Sequence, residues 1–252
     1  MGALLLDGEE PPLNAVNEGG RSPFVLICEH ASQVLPKKLG TLGLPETELQ
    51  RHIAWDIGAE KVSRFLSRLI DAPLMLQRYS RLAYDCNRPP ESPDSIPEIS
   101  ELTAIPGNRK LSADDRLARI AEIYRPFHNG ISAFLDRRAA DGIRSIIVSI
   151  HSFTPVYKGK ARSVELGILH DRDGTLSSRL IKSFPNVDAR LNEPYGPKDG
   201  VLHTLNMHGF ARGLMHAMIE IRNDLITTER GQDEWAQRLS VPLIQAIAKQ
   251  GS

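Results

Sequence analysis

Two histidines stand at the ends of runs of apolar residues, where a buried strand could aim each imidazole. His30 follows the run at 23–28 with one residue between them, and His151 follows the run at 145–150. A catalytic zinc site usually takes three protein ligands from histidines and carboxylates and leaves one position open for water. The pair therefore suits a zinc centre. A lone histidine after a strand is more often structural, however, and the chain has no HExxH pair, so spacing alone does not establish a metal site.

Carboxylates near these histidines are candidates for the remaining roles. Asp56 or Glu29 could supply the third metal ligand, and the residues alone leave that choice open. Glu220 lies in the alternating stretch at 217–222, where it could share a strand face with Arg222. A carboxylate beside an activated water can take its proton and deliver it to a leaving amine, although Glu220 and Arg222 are also compatible with a structural ion pair.

The segment at 78–90 is dense in groups that recognise acidic ligands. Arg81 and Arg88 could each grip a carboxylate with two parallel hydrogen bonds, and Asn87 stands beside the second arginine. Asp85 could instead neutralise one of the arginines in a structural pair. His203 and Arg222 are further candidates for contact with the substrate.

Composition narrows the function classes. The 252 residues include 31 basic and 31 acidic ones, so no global field favours nucleic acid or a membrane surface. No apolar window is long enough to span a bilayer, and neither a G-x-S-x-G elbow nor a nucleotide-binding glycine motif occurs. Cys28 and Cys86 are expected to be free thiols, which is typical of a reducing compartment. We therefore expect a cytoplasmic protein with a small-molecule partner.

The elements that would position these residues alternate between strand and helix. Short apolar runs predict strands at 23–28, 74–76, 82–84, 145–150, 164–169 and 214–221, and helical spacing predicts helices at 56–70, 112–140, 175–183 and 233–249. A kink is expected at Pro126. This alternation indicates one α/β domain with a mixed, mostly parallel sheet and helices on both faces. Ligands of such sheets bind at the carboxyl ends of the strands, where the candidate residues collect.

Two regions fall outside this pattern. Residues 1–20 are rich in glycine, proline and acidic residues and are interpreted as a flexible lead-in, which leaves 21–252 as the single functional domain. Residues 87–111 hold several prolines and predict a long loop, a feature that is usually functional in a compact domain. The sequence gives no signal about the oligomeric state.

Six short blocks, taken together and in order, resemble the N-formylglutamate amidohydrolase family. They are Cys28-Glu-His-Ala-Ser32, His52-Ile-Ala-Trp-Asp56-Ile-Gly58, Ser80-Arg-Leu-Ala-Tyr-Asp85-Cys-Asn-Arg-Pro89, Tyr124-Arg-Pro-Phe-His128, Ser149-Ile-His-Ser152 and Ile219-Glu-Ile-Arg-Asn-Asp-Leu225. The resemblance spans roughly 15–248.

The resemblance implies a phosphorylase/hydrolase-like fold of the zinc-carboxypeptidase kind. It also implies zinc-dependent hydrolysis of N-formyl-L-glutamate, a step of histidine degradation. By this resemblance His30, Asp56 and His151 would hold one zinc ion, and Glu220 would be the general base. Arg81, Asn87 and Arg88 match a segment of the family and would hold the carboxylates of the substrate.

Two blocks depart from the pattern of the histidine-degrading members. The first reads Glu-His-Ala-Ser where those members are nearer Pro-His-Ser-Gly, and the last reads Ile-Glu-Ile-Arg where they are nearer Gln-x-Glu. The chain therefore resembles the broader branch of the family, and the acyl substrate stays open. Two alternatives are a peptide or cell-wall-fragment amidase of the same fold and a non-catalytic binding protein for an acidic ligand.

Overall fold

The computed structural model describes residues 3–248, which build one seven-stranded mixed sheet. The strands are β1 (Leu13–Val16), β2 (Phe24–Cys28), β3 (Leu74–Gln77), β4 (Ile146–Phe153), β5 (Leu166–Leu169), β6 (Ala189–Leu191) and β7 (His216–Arg222). Their spatial order is β1-β3-β2-β4-β7-β5-β6. The four central strands β3, β2, β4 and β7 run parallel, whereas β1 is antiparallel to β3 and β5 is antiparallel to β7.

The apolar sequence of the central strands follows from their position. Every residue of β2 and of β4 is buried, because helices cover both faces of a parallel sheet. The helices are α1 (Glu46–Leu49), α2 (Ala59–Leu69), α3 (Ala113–Arg119), α4 (Arg125–Ala140), α5 (Thr175–Leu180) and α6 (Glu229–Ala248). The predicted α/β class is confirmed.

Alternate strand residues feed two separate cores. Leu26 and Val148 face the layer made by α2, α5 and α6, where Leu66 and Leu239 pack against them. Val25 and Ile147 face the opposite layer, which α4 and the turn before it supply. Each core excludes water from one face of the sheet, so the residues at the strand ends rest on a rigid base.

Four sequence-based expectations need correction. Residues 82–84 form a turn rather than a strand, because the backbone closes on itself through the hydrogen bond from Ala83 N to Ser80 O. The lead-in at 1–20 is not loose at Leu13–Val16, which forms the edge strand β1. The loop at 87–111 contains a small hairpin of Ile99–Ser100 and Thr103–Ala104.

The fourth correction concerns the long helix at 112–140. Its irregularity is a π-helical turn at Ile120–Tyr124, which lies before Pro126 and joins α3 to α4. Proline cannot donate to a helical hydrogen bond, and a widened turn beside it accommodates the lost donor. Among the helices of residues 3–248, none combines the length and apolarity that a bilayer crossing requires.

Candidate active site

His30, Asp56 and His151 meet at the carboxyl edge of the sheet. One oxygen of Asp56 lies 3.3 Å from His30 Nδ1 and 2.7 Å from His151 Nδ1. The rings of the two histidines are 4.8 Å apart and nearly perpendicular. One ligand atom from each of the three residues falls within 4.8 Å of the others, and all three side chains are buried. The Nδ1 atoms therefore converge on one point, as the ligands of a metal ion do.

A second carboxylate stands behind each histidine ring. Asp85 accepts the hydrogen bond from His30 Nε2 at 2.7 Å. Glu29 Oε2 lies 3.0 Å from His151 Nε2, and it also accepts from the Ser149 hydroxyl at 2.6 Å. Carboxylates in this position orient metal-binding histidines and raise their basicity. Glu29, the rival third ligand, therefore sits behind His151 rather than beside Asp56.

A tight turn before α2 brings Asp56 to this point. The Asp56 amide donates to the carbonyl of His30 at 2.9 Å, which ties the turn to the end of β2. Gly58 caps the helix with a φ of 82°, and a Cβ there would run into the carbonyl of Ile226. Glycine is required at this position for both reasons. The Ser152 amide then donates to Asp56 at 3.2 Å from β4.

Neighbouring charges strongly shift the pKa values of the side chains in this cluster. Burial by itself raises the pKa of Glu29, but the neighbouring His151 and Ser149 outweigh it and lower the pKa to about 2. Burial has the same effect on Asp56, and the two histidines again lower its pKa. For His151 burial lowers the pKa, while Glu29 and Asp56 raise it well above the ordinary value. The cluster therefore favours positive charge held between buried carboxylates.

Glu220 is the neighbouring carboxylate with the opposite behaviour. It lies on β7 opposite His151 of β4 and Gly167 of β5. Burial raises its pKa to about 7, with His151 opposing and Asp56 reinforcing the shift, and its Oε2 has no hydrogen-bond partner among the described residues. A Cβ at position 167 would lie 3.2 Å from Glu220 Cβ and would meet the carbonyl of Glu193. Glycine leaves the carboxyl room, and the raised pKa suits a proton carrier at neutral pH.

The arginines of the 78–90 segment divide between two tasks. Arg81 forms salt bridges with Asp56 at 3.3 Å and with Asp85 at 2.9 Å, so it neutralises the cluster. Among the residues that the structure describes, Arg88 bonds only to the carbonyl of Asn87, and it lines the cavity above the cluster. The Asn87 side chain donates to the carbonyl of Val201 and accepts from the Thr204 amide, so it also anchors a neighbouring loop.

Two predicted substrate contacts lie away from the cavity. The Arg222 guanidinium binds Asp224 and the carbonyl of Ser163, both at 2.8 Å, and does not share a site with Glu220. The strand ends at Arg222, so the alternation that predicted a shared face no longer holds the side chain over the sheet. His203 pairs with the Tyr124 hydroxyl at 2.8 Å instead of lining the cavity.

The cavity above the cluster has a volume of about 150 Å³. Its lining includes the candidate residues His30, Asp56, Arg81, Asn87, Arg88, His151 and Glu220. It also includes four residues that the sequence did not mark as site candidates, namely His52, Glu101, Tyr157 and Tyr195. Tyr195 comes from the chain after β6, and Tyr157 from a small hairpin of Val156–Tyr157 and Lys160–Ala161. No local sequence pattern marks these residues, because only the fold brings their loops to the same edge.

Comparison with known proteins decides the class. The model of the N-formylglutamate amidohydrolase family matches residues 22–227. The chain belongs to this family. It is therefore an amidohydrolase, as its resemblance to the family predicts, and the family assignment is confirmed.

Two solved structures are similar to this family member. A gene product of Agrobacterium tumefaciens is 44% identical, with a TM-score of 0.97 over 99% of this chain and 100% of that chain. The N-formylglutamate amidohydrolase of Ralstonia eutropha is 19% identical, with a TM-score of 0.71 over 96% of this chain and 100% of the other, and it shares the fold. A search of curated proteins found no match.

Proposed function

We propose that this amidohydrolase is a zinc enzyme that cleaves the amide bond of a small acidic N-acyl amino acid such as N-formyl-L-glutamate. His30, Asp56 and His151 would hold the ion, and Glu220 would be the general base. The single observation that carries this proposal is the convergence of two Nδ1 atoms on Asp56, each ring backed by a second carboxylate. Two histidines and one carboxylate with an open side match the ligand set of catalytic zinc.

The charge inside the cluster supports a divalent ion. Glu29, Asp56 and Asp85 are all buried. Within residues 3–248 the guanidinium that pairs with members of this set is Arg81, which contacts Asp56 and Asp85. With both histidines neutral, as metal ligation requires, two negative charges are left uncompensated. Buried charges are costly unless they are paired, so the donor set calls for a cation of charge two. Bound there, such an ion would polarise an amide carbonyl and acidify water.

The protein groups then divide the remaining work. Glu220, with its pKa raised to about 7, can accept a proton from water near neutral pH and deliver it to the departing amine nitrogen. Arg81 holds Asp56 and Asp85 in place, which keeps both histidine rings aimed. Arg88 lines the cavity, forms no salt bridge with a carboxylate of residues 3–248, and is available to bind an acidic substrate.

The choice of N-formyl-L-glutamate rests on the family assignment together with the presence of Arg88 in the lining of a small cavity. Its use in histidine degradation and the cytoplasmic location stay predictions. The cavity at the cluster measures only about 150 Å³, which favours a small substrate over a long polymer, so a peptide or cell-wall fragment is not preferred.

The test combines metal analysis with hydrolysis. Purified parent protein is expected to hold about one zinc ion per chain and to release formate from N-formyl-L-glutamate, with loss of activity on chelation and recovery on adding zinc. The variant His30→Ala, His151→Ala should lose both properties. His170→Ala serves as the control, because this histidine is half-buried beside Asn192 and lies outside the cluster. Equal zinc binding by parent and double variant would refute the site assignment.

A further inference from the structure

A second cavity of about 390 Å³ opens directly beside the first. The two cavities share seven lining residues: Arg81, Arg88, Ser100, Glu101, Tyr157, Tyr195 and Val201. Small-molecule sites usually measure about 300–1,000 Å³, and the inner cavity of about 150 Å³ is below that range. The outer cavity therefore offers room for the part of a substrate that the inner cavity is too small to hold.

Arg162 is the basic group that the outer cavity adds. Its guanidinium lies 4.4 Å from the centre of the Tyr157 ring and 4.8 Å from that of Tyr195, and it donates to the Tyr195 hydroxyl at 2.9 Å. Contact with two aromatic rings and one hydrogen bond restrict the guanidinium, so its remaining N–H groups are held ready for an acceptor such as a carboxylate. Both rings also line the inner cavity, so Arg162 is held at the junction of the two cavities.

The charges around the outer cavity leave two arginines available. Among the described residues, Arg81 is already paired with Asp56 and Asp85, whereas Arg88 and Arg162 form no salt bridge. The other acidic residues that line the outer cavity have partners elsewhere or are exposed, and do not pair with Arg88 or Arg162. Glu101 is engaged with Arg51 and with the amide of Lys158, Asp199 accepts from the amide of Gly196, and Asp94 is exposed at the rim.

Arg222 explains how the segment with Arg162 is held. Its guanidinium donates to the carbonyl of Ser163 at 2.8 Å and reaches that of Arg162 at 3.4 Å, while its own amide donates to Glu165. The end of β7 thus anchors the chain that carries Arg162. Arg222 acts as a positioning residue for the cavity that it does not itself enter.

We infer that Arg162 determines specificity by binding a second carboxylate of the substrate, with Arg88 binding the first. The ligand class is an N-acyl dicarboxylic amino acid, whose two carboxylates lie on either side of the junction between the cavities. This inference deepens the proposed function and rests on it for the reaction. Arg81, which the sequence favoured as a carboxylate ligand, is assigned to the buried cluster instead.

The test compares two substrates that differ in one charge. For the zinc-loaded parent, kcat/KM for N-formyl-L-glutamate should exceed that for N-formyl-L-glutamine by about 10- to 100-fold, the usual value of a hydrogen bond to a charged group. Arg162→Gln should bring this ratio close to one, mainly through KM. Arg68→Gln is the matched control, since Arg68 also stacks on an aromatic ring, Phe65, but lies on the exposed face of α2.

Binding of L-glutamate and L-glutamine, measured by calorimetry on parent and variants, gives a second readout that needs no turnover. A selectivity for L-glutamate that depends on Arg162 supports the inference even if neither substrate is hydrolysed, in which case the proposed reaction fails alone. Arg162→Lys and Tyr195→Phe should give intermediate selectivity and serve if Arg162→Gln does not fold. The inference is overturned if the Arg162 variants keep the parental ratio, or if they lose rate on both substrates equally.

Discussion

The molecule holds two buried groups of histidines that differ in their partners. In the metal-type cluster, His30 and His151 are each flanked by two carboxylates. In the neutral histidine cluster, defined as Tyr124, His128, His203 and His208, no carboxylate accepts from a ring nitrogen among the described residues. There His128 lies 2.8 Å from both the Cys86 carbonyl and His208 Nε2, and His203 lies 2.8 Å from the Tyr124 hydroxyl.

The contrast shows that the groups in contact with a buried histidine ring, rather than burial itself, decide its pKa and therefore its possible role. In the neutral histidine cluster burial lowers the pKa of His128 to about 4 and that of His208 to about 3. The Cys86 carbonyl can only accept, so His128 donates to it through Nε2 and accepts from His208 through Nδ1. These rings are fixed as neutral packing groups. In the metal-type cluster the same depth of burial is outweighed by carboxylates, which raise the pKa of His151.

The largest expected effect comes from changing Glu220, the carboxyl group that lies beside the metal-type cluster. Glu220→Gln keeps the shape of the side chain but removes its ability to carry a proton. We expect kcat to fall by about 10²- to 10⁴-fold while the zinc content stays at the parental level. Steady-state kinetics and metal analysis of the same preparation check this. A variant with parental kcat would show that Glu220 is not the base.

A smaller effect should follow from removing the charge of Asp85, the carboxylate behind the His30 ring. Asp85→Asn keeps an acceptor for His30 but removes the charge, and we expect zinc affinity to fall by about 10- to 100-fold. Competition with a chromophoric chelator measures it. Asp136→Asn is the control, since that exposed carboxylate pairs with Arg212 outside the metal-type cluster. If both variants bind zinc equally tightly, the carboxylate is not what separates the two clusters.

The smallest effect concerns the neutral histidine cluster and pH. Below about pH 6.5 an unfolded histidine takes up a proton, whereas the folded protein resists it until pH falls to about 4 at His128 and about 3 at His208. The unfolded state then binds more protons, so the free energy of unfolding should fall as pH drops through this range. His208→Gln keeps a donor for His128 without titrating and should make the slope shallower. Denaturant unfolding at several pH values measures it, and an unchanged slope would contradict the assignment.

The sequence predicted the central framework well, because long apolar runs leave few choices. The runs at 23–28 and 145–150 became β2 and β4, and the alternating stretch before Arg222 became β7. It failed where local pattern and long-range packing disagree. Leu82 and Tyr84 are apolar and buried without being a strand, since they pack under a turn closed by Ser80.

The site shows the same division. Position after a strand was enough to select His30, and an alternating stretch was enough to select Glu220, which lies inside β7. His151 lies inside its strand rather than after it. Sequence could not choose between Glu29 and Asp56, because both are buried near His151 and only the turn before α2 shows which one faces the Nδ1 atoms. Arg162 carried no signal at all, since its role depends on two tyrosines from separate loops.

The reversed direction of β5 has a consequence for how such an enzyme can diversify. Because β4 ends and β5 begins at the same edge of the sheet, the whole connection at 154–165 stays at the mouth of the site and never crosses a face. Its length and composition can change while the strand registers keep His151, Glu220 and Gly167 in place. The fold thus separates the candidate site, which the sheet holds in place, from the connection at 154–165, and a change in that connection alone can alter which substrate fits.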